Sequence, residues 1–269
     1  MAAEVLDVIA DDGCRLHVEQ EGSGPALLLI SGLGGKGDFW NDVRPSLAKS
    51  FRVVTFDHRG TGASDHPPQG YTIARMVGDV LNILDALEID RTHIVGHSTG
   101  GAIAQVLALD MPERVGRLVI SASWGRPDYR FRLLFETRLG VLERASPGLY
   151  TAFGQLLGFP NDWINDNEAA VSRAIAQADN AAQEDRAVGA ARIKMLLEHD
   201  RLDDLHRIAA PTLVVGAPDD MIVPIEHADA IAQRIPDATL LEIAGGHFYP
   251  RTRADLFARS VAEFLQQED

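Results

Sequence analysis

Three short stretches of the chain carry residue types that together can do acyl-transfer chemistry. The first is Gly96-His97-Ser98-Thr99-Gly100, a G-x-S-x-G pattern that lifts a serine above a sheet on a sharp strand-to-helix turn. The others are Asp219-Asp220-Met221-Ile222-Val223-Pro224 and Gly245-Gly246-His247-Phe248. A serine hydroxyl is a weak nucleophile until an imidazole takes its proton. The imidazole in turn needs a carboxylate to fix its tautomer and stabilise the imidazolium that forms. Ser98 is therefore the candidate nucleophile, His247 the candidate base and an adjacent pair, Asp219 or Asp220, the source of the acid. Counting forward from Gly216 favours Asp219. Counting back from Pro224 favours Asp220. His97, inside the turn, is expected to pack or hydrogen-bond beneath it and not to act as base.

The elements that must position these groups follow from the surrounding pattern. Before Ser98 runs Thr92-His93-Ile94-Val95, apolar and partly β-branched like a buried strand; after it, residues 101–109 form an apolar helical stretch closed by Pro112. The glycines let strand and helix approach closely. Upstream, residues 5–9 and 15–21 read as a hairpin around Asp11-Asp12-Gly13, and 26–30 and 52–56 as strands, the former apolar on both faces. Ile73, Met76, Val77, Val80, Leu81, Leu84 and Leu87 keep helical spacing over 72–88, and 117–121 is a strand again. This alternation predicts an α/β fold with a doubly wound, mostly parallel sheet. From 126 to about 207 there is no strand signal, and the alanine-rich stretches 168–182 and 187–197 favour helix. A helical cap inserted after the sixth strand is expected. Strands resume at 211–216 and 239–243, and a closing helix carries Leu256, Phe257, Ser260, Val261, Phe264 and Leu265 on one face. The expected organisation is core 1–125, cap 126–206 and core 207–269.

Composition narrows the partners. A net charge of -14 argues against nucleic acid or an anionic membrane, both of which need basic patches. The single cysteine, Cys14, rules out an intrachain disulfide framework and reads as structural. The start Met1-Ala2-Ala3-Glu4 lacks a signal-peptide pattern and no apolar run is long enough to span a membrane, so a cytoplasmic location is expected. No His/Cys/Asp/Glu spacing suits a metal. The glycine-rich loop Ser31-Gly32-Leu33-Gly34-Gly35 has neither a following Lys-Ser/Thr nor a G-x-G-x-x-G register. No cofactor is expected. The expected partner is a small-molecule substrate, bound by a monomer or homodimer.

Acyl transfer also needs an oxyanion hole. One donor is expected from the backbone N–H of Thr99, directly after the nucleophile, and the other from Leu33, after Ser31-Gly32. Asp57-His58-Arg59-Gly60-Thr61-Gly62-Ala63-Ser64 reads as a glycine turn braced by an Asp/Arg pair. The cap should supply most of the pocket, with Trp124, Arg126, Tyr129, Arg130, Phe153 and Trp163, joined by Phe248, as candidate lining. Arg126, Arg130 and Arg132 are either carboxylate ligands or a solvated face.

Ser31-Gly32-Leu33-Gly34, Asp57 to Ser64, Gly96 to Gly100, Asp220-x-x-x-Pro224 and Gly246-His247-Phe248, in this order, resemble the α/β-hydrolase superfamily over nearly the whole chain. Within it, Ile30 to Gly35, Phe159-Pro160-Asn161-Asp162-Trp163 and Asp219 to Pro224 are similar to the enol-lactonase and aminoacrylate-hydrolase (RutD-like) branch. The resemblance implies a triad of Ser98, His247 and Asp220, the aspartate standing four residues before its proline. It implies a serine hydrolase of a small ester, lactone or related acyl compound. C–C bond hydrolysis, perhydrolysis and slow-turnover, receptor-like hydrolysis use the same triad. A serine nucleophile argues against haloalkane dehalogenase and epoxide hydrolase chemistry, which use aspartate.

Overall fold

The computed structural model describes residues 3–180 and 186–267. Its strands are β1 (Glu4–Ile9), β2 (Arg15–Glu21), β3 (Ala26–Ile30), β4 (Arg52–Phe56), β5 (Thr92–His97), β6 (Val115–Ser121), β7 (Thr212–Gly216) and β8 (Ala238–Glu242). They form one sheet in the order β1-β2-β4-β3-β5-β6-β7-β8. The pairs β1/β2 and β2/β4 are antiparallel, and from β4 to β8 every neighbouring pair is parallel.

The alternation of side chains along β3 shows how the layers are built. Leu28 and Ile30 enter one core cluster, Leu27 and Leu29 the other. Because successive residues of a strand face opposite sides, an all-apolar strand must be covered twice. On one side lie α2 (Ile73–Ala86) and α3 (Thr99–Asp110), contributing Met76, Val80, Leu84, Ile103 and Leu107. On the other lie Trp40, the short α1 (Arg44–Leu47) and the closing helix, contributing Leu47, Phe257 and Val261. Each fully buried aliphatic or aromatic side chain contributes about 1.5–3 kcal/mol, so this double cover is the main stabilising term. α2 begins where Thr72 caps it, its side chain accepting from the N–H of Arg75. That is an N-cap, one residue before the helix.

Between β6 and β7 come α4 (Tyr129–Arg144), α5 (Pro147–Gly158), α6 (Asn161–Asp166), α7 (Glu168–Asn180) and α8 (Arg186–Glu198), with α4 packed on α8 and α5 on α7. Ala181 and Ala182, expected to be helical, lie outside the described residues. After β7 follow α9 (Ile225–Ala232), β8, the short α10 (Tyr249–Thr252) and the closing α11 (Ala254–Leu265). α11 buries Phe257, Val261, Phe264 and Leu265 but turns Leu256 outward, at 42% exposure. The loop after β4 is joined to α2 by a buried ion pair and to the hairpin turn by a partly exposed one. Arg59 binds Asp79 of α2 through two 2.6 Å hydrogen bonds and reaches Asp12 at 2.8 Å. Asp57, expected to pair with Arg59, instead accepts from the N–H groups of Gly37 and Ala63, each at 2.8 Å. The two residues brace the loop separately, because Arg59 points away toward α2. Among the described residues no helix is long and apolar enough to cross a membrane.

Candidate active site

Ser98 stands between the end of β5 and the start of α3 at φ 54°, ψ -114°, in the left-handed region that non-glycine residues avoid. The surroundings hold it there. A Cβ on Gly96 would run into the carbonyl of Gly100, and one on Gly100 into the carbonyl of Ile30, so the turn is pressed against β3. The Ser98 N–H donates to the Ser121 carbonyl at 2.8 Å, and the Ser98 carbonyl accepts from Ser123 Oγ at 2.8 Å and from the Gly101 N–H at 2.9 Å. Such a conformation costs about 1–3 kcal/mol and persists only when tertiary contacts over-determine it.

His247 follows β8 and Asp220 follows β7. The Nδ1 of His247 lies 2.7 Å from Oδ2 of Asp220, and both side chains are almost wholly buried. The other oxygen, Oδ1, accepts from the N–H groups of Ile222 and Val223 at 2.7 and 2.9 Å. The carboxylate is thus fixed by its own loop and faces the imidazole with one oxygen. Asp219 turns elsewhere: it accepts from the N–H groups of Gly245 and Gly246, with shortest contacts of 3.0 Å. One aspartate holds the ring of His247 and its neighbour holds the loop that carries the ring.

His97 lies beneath. Its ring stacks on Phe39 at 4.8 Å and stands 4.9 Å from the ring of His247. Its Nδ1 lies 3.0 Å from Ser121 Oγ, which meets Tyr249 Oη at 2.6 Å, and Tyr249 donates onward to the Val215 carbonyl at 3.0 Å. Burial, and then the neighbouring His247, push His97 well below the ordinary histidine range, so it is neutral at pH 7. Ser121, Tyr249 and Phe39 belong to no recognisable pattern in the sequence; only the fold brings them under the elbow.

Thr99 begins α3, where the first N–H groups of a helix lack internal partners. On the opposite side of the serine, a Cβ on Gly32 would come within 3.2 Å of Ser98 Cβ, which puts Gly32-Leu33 against the elbow. Leu33 sits in a turn closed by a 2.9 Å hydrogen bond from the Gly35 N–H to the Gly32 carbonyl. Among the described residues no group of three or more His, Cys, Asp or Glu side chains is placed to hold a metal ion.

A cavity of about 480 Å³ opens between Leu33, Gly34 and Thr61 of the core and Arg138, Tyr150 and Arg192 of the inserted helices. Neither Ser98 nor His247 is among the residues that line it, and the candidate pocket residues lie elsewhere. Trp124 is fully buried in the core against Phe131 and His199. Arg126 is half-exposed and paired with Asp200 and Asp203, and Arg130 is spent on the Met221 carbonyl at the surface. Tyr129, in the first turn of α4, is 81% exposed. The phase of α4 sends Tyr129 and Arg130 outward and brings Phe131, Phe135 and Arg138 inward, while Arg126 lies in the segment before the helix. Phe153 lies half-buried on α5, away from this cavity's lining. Trp163 stacks flat on Phe159 at 3.9 Å, and Phe159 meets Phe248 at 4.9 Å, beside His247. The two form an aromatic block on the histidine side, where the Phe248 N–H also donates to the Gly158 carbonyl at 3.1 Å.

The elbow, the histidine–carboxylate contact and the sheet order define an α/β hydrolase. Residues 25–250 match the family model for the alpha/beta hydrolase fold, and the chain belongs to that family and is a hydrolase. It is 39% identical over 265 residues to a protein of Caulobacter vibrioides named "Putative carbamate hydrolase RutD", covering 93% of this chain and 95% of the relative. Among solved structures it resembles a hydrolase from Pseudomonas aeruginosa PA01 (TM-score 0.88, 31% identity, 99% of this chain and 100% of that one). The enol-lactonase from Burkholderia xenovorans LB400 shares the fold (TM-score 0.89, 24% identity, 97% and 100%).

Proposed function

We propose that the chain is a serine hydrolase that opens a small ester, lactone or related acyl compound through a Ser98–His247–Asp220 triad and an acyl-enzyme. The observation that carries this reading is the buried 2.7 Å contact between His247 Nδ1 and Asp220 Oδ2, with the His247 ring 4.9 Å from that of His97, the residue before the strained Ser98. With Nδ1–H donated to the carboxylate, Nε2 is left as the basic nitrogen. It takes the Ser98 proton as Oγ attacks the acyl carbon. The N–H groups of Thr99 and Leu33 receive the charge that develops on the acyl oxygen. His247 returns the proton to the leaving oxygen, the alcohol departs, and water repeats the sequence on the acyl-enzyme to give a carboxylic acid. The Asp220 carboxylate stabilises the imidazolium. His97, neutral and spent on Ser121, takes no proton in this scheme. The relative named as a carbamate hydrolase supports an acyl carbon next to a heteroatom as the point of attack.

The test is Ser98→Ala assayed against p-nitrophenyl acetate and butyrate, with circular dichroism to check the fold. Turnover is expected to fall at least about a thousandfold, since removing the nucleophile disables the whole triad. A variant that folds and hydrolyses both esters at the wild-type rate would falsify the mechanism.

A further inference from the structure

We propose that Arg192, on helix α8, is a positioning residue of the oxyanion hole: by gripping the Leu33 carbonyl it seats the turn that carries the Leu33 N–H donor. This rests on the serine-hydrolase reading above.

The geometry is specific. Arg192 is 2% exposed. Its Nε and Nη2 both donate to the Leu33 carbonyl, at 3.3 and 2.9 Å, while Nη1 donates to the Arg59 carbonyl at 2.9 Å. Nη2 also lies 3.3 Å from Nδ1 of His58. Burial and then the Arg192 charge push His58 well below the ordinary histidine range, so that ring is neutral and accepts. One guanidinium from the inserted helices thus grips the two loops that follow β3 and β4. The loops are also tied to each other: the His58 N–H donates to the Gly35 carbonyl at 2.7 Å, and Thr61 Oγ1 to the same carbonyl at 3.0 Å.

The clamp falls on the weak point of the turn. In a four-residue turn closed between Gly32 and Gly35, the outer peptides are anchored, but the middle one, Leu33–Gly34, takes no part in the closing bond. Types I and II differ by a flip of this middle peptide, and two glycines beside Leu33 leave the flip sterically open. Such a flip turns the Leu33 carbonyl and the Gly34 N–H away from Arg192 and leaves the neighbouring Gly32–Leu33 peptide, which carries the proposed donor N–H, seated by the closing bond alone. Arg192 grips the carbonyl of that middle peptide with two donors in a fixed fork, which lysine cannot reproduce. Gly35 completes the fit: at φ 71°, a Cβ there would meet Arg192 Nη2 at 2.6 Å.

The test compares wild type with Arg192→Met, Arg192→Gln and Arg192→Lys on p-nitrophenyl butyrate, with a trifluoromethyl ketone as inhibitor. The ketone binds as a Ser98 hemiketal whose oxyanion occupies the hole, so its Ki reads the hole directly. For Arg192→Met the expected kcat loss is about 10- to 100-fold, below the effect of deleting a donor because the donor is displaced and not removed. KM should stay within about threefold, Ki should rise in step with the kcat loss, and the pH–rate profile should not move. Arg192→Gln and Arg192→Lys, each keeping some donors, should recover part of the loss. A wild-type kcat and Ki in Arg192→Met overturns the proposal; so does a loss confined to KM, which would mark a substrate contact. If Arg192→Met does not fold, wild-type kcat and Ki in Arg192→Gln overturns it equally. A wild type without Ser98-dependent activity would sink the serine-hydrolase reading instead, whatever the Arg192 variants do.

Discussion

Asp219→Asn and Asp220→Asn differ by one position and should differ by three orders of magnitude. Asp220 faces His247 Nδ1 with one oxygen at 2.7 Å while its other oxygen takes two backbone N–H groups. In the asparagine variant the amide oxygen stays on the N–H pair and the NH₂ turns toward the imidazole. A donor there forces the proton onto Nε2, the nitrogen that must accept from Ser98. Loss of the working tautomer costs about 10⁴-fold in kcat, or roughly 5.4 kcal/mol at 1.36 kcal/mol per decade. Asp219 touches only the Gly245 and Gly246 amides. Asparagine keeps an acceptor for them and gives up the charge, a change of about 1–2 kcal/mol, with kcat reduced tenfold or less. Both variants should be assayed on p-nitrophenyl butyrate at saturation, beside thermal melts. Asp219→Asn should lower the melting temperature slightly, and Asp220→Asn should leave a folded, nearly inactive protein. If Asp220→Asn retains more than a tenth of wild-type kcat, or Asp219→Asn is the more crippled, the assignment of the acid is wrong.

Stability should answer to two further groups. Replacing Asp79 by Leu leaves the Arg59 guanidinium, whose side chain is 1% exposed, with the Asp12 carboxylate but without its two hydrogen bonds to Asp79, and should destabilise the fold by about 1–3 kcal/mol in urea unfolding; Arg59→Met with Asp79→Leu should recover most of it. A double variant no more stable than Asp79→Leu would contradict this. His199, packed on Trp124, is pushed from 6.5 down to about 4 by burial and then by the Arg201 charge. It is neutral in the fold and protonates in the unfolded chain, so its contribution is present above pH about 6.5 and is lost as pH falls toward 4. The shift is worth at most about 3 kcal/mol at 1.36 kcal/mol per unit, and His199→Leu should flatten that part of the stability profile. An unchanged slope between pH 6.5 and 4 would refute it.

What the sequence made legible is what is encoded locally. The elbow announces itself because its glycines and serine must be neighbours in the chain, and β3 reads as a doubly covered strand because every residue in it is apolar. The choice between Asp219 and Asp220 was not local: both carboxylates are consumed by the Gly245–His247 loop, and only the path of that loop decides which meets the ring. The pocket was less legible still. Arg126, Tyr129 and Arg130 sit near the start of the insertion, as a pocket wall could, but Arg126 is held at the surface by Asp200 and Asp203 and helical phase turns Tyr129 and Arg130 outward, while Arg138 faces the cavity from two turns further on. Arg192 lies in an alanine-rich helix with no pattern around it. Its role appears only when α8 is laid against the loops after β3 and β4.

The strained serine has a consequence for how the chain acquires reactivity. Nothing within Gly96 to Gly100 would hold Ser98 at φ 54° by itself; the restraint comes from Ile30 on β3 and from Ser121 and Ser123 at and beyond the end of β6. Those strands flank β5 on either side in the sheet yet lie far from it along the chain. Until β3 and β6 pair with β5, none of these contacts is in place to hold Ser98 at that angle. It becomes poised only when the centre of the sheet has closed around it, and it meets Asp220 and His247 only after the last two strands have joined. On the proposed mechanism the nucleophile would be folding-gated: a half-folded molecule would carry no armed serine, and covalent labelling of Ser98 would count native molecules.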